Sequence, residues 1–249
     1  MASAVSPAEL QRRERAYRER AVTHTGDRRV RYQWRIELEA VMRRLQPRPG
    51  MRVLDAGCGV GRMSCAALRR GAEVVSLDFA LSRMRYLRTQ APKGSRPEPC
   101  QADLGHLPLA ERSFDAVLCT QVLEHIPEPA ARRALLRDFA RLLRPGGRCL
   151  LTVYNFNQPI RRRGAPREGI HDSGIFFHCY EADELRDDLT PSFEVLEVCG
   201  LIHLLPHTWR WFPLLGPLAR TIDHRLERAS AFSSDWGHLL LAHARVSRR

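Results

Sequence analysis

The sequence predicts an α/β protein: a mostly parallel sheet of seven strands, covered by helices on both faces. Three observations carry that expectation. Short apolar segments alternate with helical ones between residues 51 and 154. Runs such as Ala116-Val117-Leu118-Cys119 lack polar alternation, as strands buried on both sides do. A turn with glycines at 57, 59 and 61 joins the first strand to the next helix. Repeated strand–helix alternation is the pattern of a sheet built from right-handed crossovers.

The elements follow in order. Ser6-Pro7-Ala8-Glu9 reads as a helix start, with Ser as the cap, Pro at the first helical position and Glu at the third. That helix is expected to run to about Arg20. A second begins near Arg31, where Trp34, Leu38, Val41, Met42 and Leu45 keep the helical period, and Pro47, Pro49 and Gly50 end it. Strands are expected over Met51–Ala56, Glu73–Leu77, Pro99–Ala102, Phe114–Thr120 and Arg148–Tyr154. Helices are expected over Met63–Arg70, Leu81–Gln90 and Ala130–Leu143. After Tyr154 the rhythm breaks into a polar stretch, Asn155–Ser173. A helix near Glu181–Leu189 and strands Phe193–Cys199 and His238–Val246 complete the chain. The expected organisation is one domain: N-terminal helices over 1–48, a ligand-binding core over 49–155 and a substrate side over 156–249, with an insertion over 200–237.

Composition bounds the function. The 249 residues include 44% apolar and 27% charged side chains, enough for a real core. No run of 18 apolar residues exists and the N-terminus lacks a secretory core, so a cytoplasmic setting is expected. Seven scattered cysteines without a C-x-x-C pair point to reduced thiols rather than a disulfide framework or zinc knuckle. The net charge of +12 attracts acidic partners in general. Lys93 is the only lysine, however, and the arginines are spread along the chain. Nucleic acid is therefore not the expected partner.

The chemistry concentrates in Asp55-Ala56-Gly57-Cys58-Gly59-Val60-Gly61. A strand, a glycine turn and a helix let backbone approach a ligand closely and aim helix amides at it. A dinucleotide fingerprint needs its third glycine at 62, where Arg62 stands. Asp78 ends the second strand, where a carboxylate can accept both ribose hydroxyls of an adenosine. This segment resembles the class I S-adenosylmethionine-dependent methyltransferases, in particular the small-molecule group containing the ubiquinone and menaquinone enzymes. Gln101-Ala102-Asp103-Leu104, Ser113-Phe114-Asp115-Ala116-Val117 and Arg144-Pro145-Gly146-Gly147 fit the same family in order. The resemblance covers about residues 30–155 and implies a Rossmann-like fold with S-adenosylmethionine as cofactor. It implies that Asp55, Gly57 and Gly59 line the methionine part and that Asp78, with its neighbour Phe79, holds the ribose. Asp103 and Leu104 would frame the adenine, Gln121 would sit at the methionine end, and Arg35 would meet the cofactor carboxylate.

Metal-dependent quinone methyltransferases carry Glu-x-x-Glu-His, whereas this chain reads Gln121-Val122-Leu123-Glu124-His125. A Gln is a poorer ligand for a hard cation than a carboxylate, so no metal is expected. Methyl transfer needs alignment and, for a weak nucleophile, a base. His125 and His178 are the expected catalytic histidines, with His171 a further candidate and loop anchoring the alternative role. The acceptor is expected to be a small apolar molecule. A scaffold protein with a cofactor fold and an RNA methyltransferase remain as alternatives. The late insertion contains the apolar strings Leu201–Pro206 and Trp209–Pro213, then Leu215, Leu218, Ile222 and Leu226 at helical spacing with Arg220, Arg225 and Arg228 around them. That is a basic amphipathic helix. It is expected to turn its apolar stripe onto the sheet edge or the acceptor pocket, or else to meet membrane or a lipid-like substrate, or to form a dimer contact.

Overall fold

A computed structural model describes residues 5–21, 28–95, 97–204 and 212–247, without the side chains of 28–30, 212–216 and 230–232. Two helices open the chain, α1 (Pro7–Arg20) and α2 (Arg28–Leu45). The alternating part follows as β1 (Arg52–Ala56), α3 (Arg62–Leu68), β2 (Glu73–Asp78), α4 (Leu81–Gln90), β3 (Glu98–Gln101), β4 (Phe114–Thr120), α5 (Pro129–Leu142) and β5 (Leu143–Tyr154). A 3-10 turn, Leu123–His125, sits between β4 and α5. Then come α6 (Gln158–Arg162), β6 (Glu168–Ile170), β7 (Phe176–His178), α7 (Ala182–Leu189), β8 (Glu194–Leu201), α8 (Phe212–Arg228), α9 (Ser230–Trp236) and β9 (Leu239–Arg245).

Seven strands form one sheet in the order β3-β2-β1-β4-β5-β9-β8. Strands β1 to β5 run parallel; β9 is antiparallel to both β5 and β8. The order reverses at β1 and β4, so their carboxyl ends open a crevice between them, where open α/β sheets bind ligands. Alternate side chains of each strand serve opposite faces. Val53 and Leu150 join Ile36, Val41, Met63 and Ala67 from α2 and α3. Leu54 and Leu151 join Leu135, Phe139, Leu185 and Leu189 from α5 and α7. Ser6 caps α1 as its sequence predicts, its hydroxyl accepting the Glu9 amide at 3.3 Å.

Three readings change. The polar stretch after β5 holds a short hairpin, β6 against β7, with Gly169 opposite Phe177. Three-residue strands carry too little periodicity to be seen in sequence. The Arg144–Gly147 turn lies inside β5, where the partner of Leu143 is Phe114 and the partner of Arg148 is Ala116. The third difference concerns the insertion. Helix α8 turns Ala219, Asp223 and Glu227 inward, whereas Leu218 and Ile222 of the expected buried stripe are exposed. The inward acids find partners on α2 and beyond β8, so ion pairing and not apolar burial orients this helix. The expected aromatic string Trp209–Trp211 lies outside the described residues. Helix α9 lies directly on β8: a Cβ on Gly200 would fall 1.7 Å from the Ser233 carbonyl oxygen. The Ser233 hydroxyl brackets that glycine, accepting its amide at 2.7 Å and donating to its carbonyl at 2.9 Å. Among the described residues, no helix is long and apolar enough to cross a membrane.

Candidate active site

The carboxyl ends of β1, β2 and β4 open into a crevice. Gly57, Gly59, Asp78, Phe79, Leu104, Gln121 and His125 line it together. Gly57 has φ 75°, and a Cβ there would fall 2.5 Å from a Val122 methyl. Only glycine therefore lets the turn pass under the loop after β4. The Gly57 and Cys58 amides bond to the Leu77 carbonyl at 2.8 and 2.9 Å, which ties the turn to the end of β2.

Asp78 is buried at the tip of β2. One carboxylate oxygen accepts the Gly59 amide and the other the Ala80 amide, both at 2.8 Å. Each oxygen keeps a lone pair for a further donor. Asp55 lies deeper, beneath the cavity lining. One of its oxygens accepts the Ser64 amide at 2.9 Å and the Ser64 hydroxyl at 2.5 Å; the other is buried without a partner among the described residues. Burial pushes its carboxyl up to about 6, against the pull of the Ser64 hydrogen bonds. Asp103 stands at the rim, accepting Arg15 at 3.2 Å and the Gly105 amide at 2.9 Å. With Leu104, Phe79 and His125 it lines an adjoining groove between α1 and α5.

Gln121 takes the left-handed conformation, φ 55°, unusual for a residue with a side chain. Two bonds hold it there: its amide N–H to the Thr152 carbonyl at 2.9 Å and its side-chain amide to Glu37 at 2.8 Å. Glu37 is fully buried on α2 and also accepts the Thr152 hydroxyl at 2.6 Å and Arg62 at 2.8 Å. Arg62 stacks over Trp34, 4.9 Å from the ring centre, and bonds the Trp34 carbonyl at 3.2 Å. Trp34, Arg62, Glu14, Arg18 and Arg83 all line the cavity, and sequence reasoning assigned none of them a role. Helical period was the available signal for Trp34 and Glu37, which lie three residues apart on one face of α2.

Arg35 lies elsewhere. One residue of helix rotates it about 100° from Trp34. Its side chain is 63% exposed, pairs with Glu39 at 3.0 Å, and borders an adjoining depression that shares Trp34, Val60 and Arg62 with the crevice. His178 is also remote, buried between Glu184 at 2.9 Å and Glu168 at 3.3 Å and packed edge-on to Tyr180. These contacts join β6, β7 and α7.

His125 is 7% exposed and lines the crevice. Its Nδ1 lies 2.8 Å from the Phe176 carbonyl, which can only accept, so Nδ1 carries the proton and Nε2 a lone pair. Burial and the nearby Arg18 push this imidazole down to about 3. Tyr154 meets it edge-on at 5.6 Å and meets His171 at 6.0 Å, and His171 stacks on Phe177 at 4.4 Å. Adjacent Glu124 is fully buried, neither of its oxygens has a partner among the described residues, and burial pushes its carboxyl well up. Within the Gln-x-x-Glu-His string, the Gln121 side chain is engaged with Glu37. Among the described residues no three His, Cys, Asp or Glu side chains form a metal-holding group.

Comparison with known proteins agrees with this architecture. A family profile described as a methyltransferase domain matches residues 54–151. The ubiquinone biosynthesis O-methyltransferase of Paracidovorax citrulli is 36% identical over 116 residues, 45% of this chain and 48% of that one. The chain thus spans about half the length of such curated relatives. The protein of the same name from Psychrobacter arcticus is 31% identical over 189 residues, 70% of this chain and 68% of its own. The crystal structure of Burkholderia thailandensis 1,6-didemethyltoxoflavin-N1-methyltransferase superposes with a TM-score of 0.68, covering 99% of this chain and 93% of that one. At 20% identity that likeness speaks for the fold. The matches in sequence, the reversal of strand order and the glycine turn beneath Asp78 agree: the chain belongs to the class I S-adenosylmethionine-dependent methyltransferases.

Proposed function

We propose that the crevice binds S-adenosylmethionine and that the chain transfers its methyl group to a small, apolar acceptor, with an aromatic hydroxyl favoured over nitrogen or carbon. The observation that carries this reading is Asp78, buried beside the glycine turn with one lone pair left on each oxygen. The residues present fit the cofactor. The turn passes where any Cβ at Gly57 would collide, and the second Asp55 oxygen is buried without a partner among the described residues.

When bound, the cofactor supplies a methyl group on a sulfonium, open to in-line displacement. Asp78 accepts the ribose hydroxyls, and Phe79 and Leu104 enclose the adenine with Asp103 at its edge. At the methionine end Arg62, held by Glu37 and Trp34, meets the carboxylate in place of Arg35. The Gln121 carbonyl oxygen and Asp55 accept from the ammonium. His125 acts through its Nε2 lone pair, which receives the acceptor's hydroxyl proton as a hydrogen bond and fixes the oxygen's approach. An imidazole with a pKa of about 3 is too weak a base to ionise a free phenol. It can take the proton only once the oxygen has gained the methyl group and become strongly acidic. Tyr154 packs edge-on to His125 and continues through His171 to Phe177, an aromatic run beside the imidazole that favours a ring-bearing acceptor. The name of the curated relatives, ubiquinone biosynthesis O-methyltransferase, supports an oxygen acceptor. In this reading residues 1–48 and 156–249 shape access to the core, 49–155.

The test is isotopic. Protein is incubated with cofactor labelled in its methyl group and a panel of catechols, phenols, amines and heteroaromatics. Mass spectrometry should find label on a hydroxylated ring, and a His125→Ala variant should label it far more slowly. Label only on amines or carbon, or none in any compound, contradicts the reading.

A further inference from the structure

The orientation of α8 points to a use for its outer face. The helix contains two acids, Asp223 and Glu227, and both are buried, at 1% and 3% exposure. Asp223 accepts the Tyr32 hydroxyl and the His203 amide. Glu227 accepts Arg43 at 2.7 Å and Arg44 at 2.5 Å. His224 and Arg220 reach Glu39 on α2 at 3.0 and 3.6 Å. Every negative charge of the helix is thus consumed by the protein. On the opposite side, Leu218 and Ile222 stand one turn apart at 55% and 38% exposure. Arg225 continues the same line by helical spacing, and Arg228 and Thr221 flank it, all three exposed. The sequence from 200 to 222 contains no Asp or Glu and includes Trp209, Arg210 and Trp211.

Exposed apolar residues occurring singly are ordinary. A pair in register with arginines, on a helix whose acids all face inward, is the pattern of a helix lying in a bilayer interface. Charge decides between occupants. The outer face is purely cationic and the whole chain carries +12, so a second copy would be repelled and an anionic surface attracted. We propose that α8 is a docking surface for an anionic phospholipid bilayer. Leu218 and Ile222 enter the acyl boundary, and Arg225 and Arg228 meet the lipid phosphates.

The experiment is co-sedimentation of the full chain with vesicles of phosphatidylcholine alone and with added phosphatidylglycerol. Binding is expected only to the mixed vesicles and is expected to fall with salt. Arg225→Gln with Arg228→Gln should weaken it about fivefold for each arginine removed. Leu218→Ser with Ile222→Ser should weaken it at least as much. All four side chains are exposed, so the variants are expected to fold, which circular dichroism verifies. Three results overturn the proposal: no binding to the mixed vesicles, binding unaffected by Leu218→Ser with Ile222→Ser, or a dimer in solution that the same pair of substitutions dissolves.

Discussion

At the scale of single residues, the chemistry of the crevice is set by what each polar atom already holds. Asp78 has used half its accepting capacity on the turn and offers the other half outward. His125 has its donor end committed to Phe176 and presents a bare lone pair. Its burial has a measurable consequence. An unfolded histidine titrates near 6.5, whereas the native one is held down to about 3. Between those values the unfolded chain binds a proton that the native state refuses. The stability this residue contributes is therefore complete above pH 6.5 and is lost as pH falls toward 3. Asp55, raised to about 6, acts in the opposite sense and loses stability as pH rises from about 4 to 6. Comparing variants separates the two. Thermal melts of His125→Asn should fall less steeply than wild type between pH 6.5 and 4. Equal slopes would place His125 in contact with solvent. Residue identity at this scale was partly legible in the sequence. Gly57, Gly59, Asp78 and Gln121 all line the crevice, because strand ends and the βα turn bring them to one edge of the sheet. Arg35 and His178 could not be placed, because helix rotation and a three-residue hairpin decide where they point.

At the scale of elements, Glu37 is the joint that the sequence hid. It lies within a helical apolar pattern as one more polar position, yet its carboxylate links α2 to α3 through Arg62, to the loop after β4 through Gln121 and to β5 through Thr152. Nothing in a linear pattern reports that a residue 84 positions from Gln121 will hold it. A Glu37→Gln variant keeps the shape and removes the charge that Arg62 answers. Breaking a fully buried pair costs about 3–5 kcal/mol. The Arg62 side chain is 21% exposed and recovers some solvation, so about 2 kcal/mol is expected, or roughly 4–8 °C in melting temperature. Differential scanning calorimetry measures this. The same variant should weaken cofactor binding, since Gln121 and Arg62 lose their common anchor. An unchanged melting temperature with unchanged affinity would show the joint to be dispensable. The helix α8 teaches a related lesson. Its hydrophobic spacing predicts a buried stripe, but ionic contacts to three α2 side chains, Glu39, Arg43 and Arg44, outweigh two aliphatic side chains and roll the helix over.

At the scale of the whole molecule, the topology was readable because it follows from few rules. Parallel strands need crossovers, crossovers need helices, and the alternation to residue 154 leaves little freedom. Of the strands beyond that point, β8 and β9 complete the sheet by swapping places, an antiparallel insertion that becomes visible only in the pairing. The proposed acceptor side was less legible because the reading draws on segments remote in sequence: α1, the turn after β4, the end of β5 and the β6–β7 hairpin. What unites these parts is the claim that the crevice beneath them holds S-adenosylmethionine through Asp78. Isothermal titration calorimetry of S-adenosylhomocysteine tests it most directly, against wild type, Asp78→Ala and Arg35→Ala. Each charge-assisted hydrogen bond lost is worth about 1.5–3 kcal/mol, so Asp78→Ala should bind at least about tenfold more weakly while Arg35→Ala binds like wild type. Equal affinity in wild type and a folded Asp78→Ala protein, or no binding to wild type, would contradict the account.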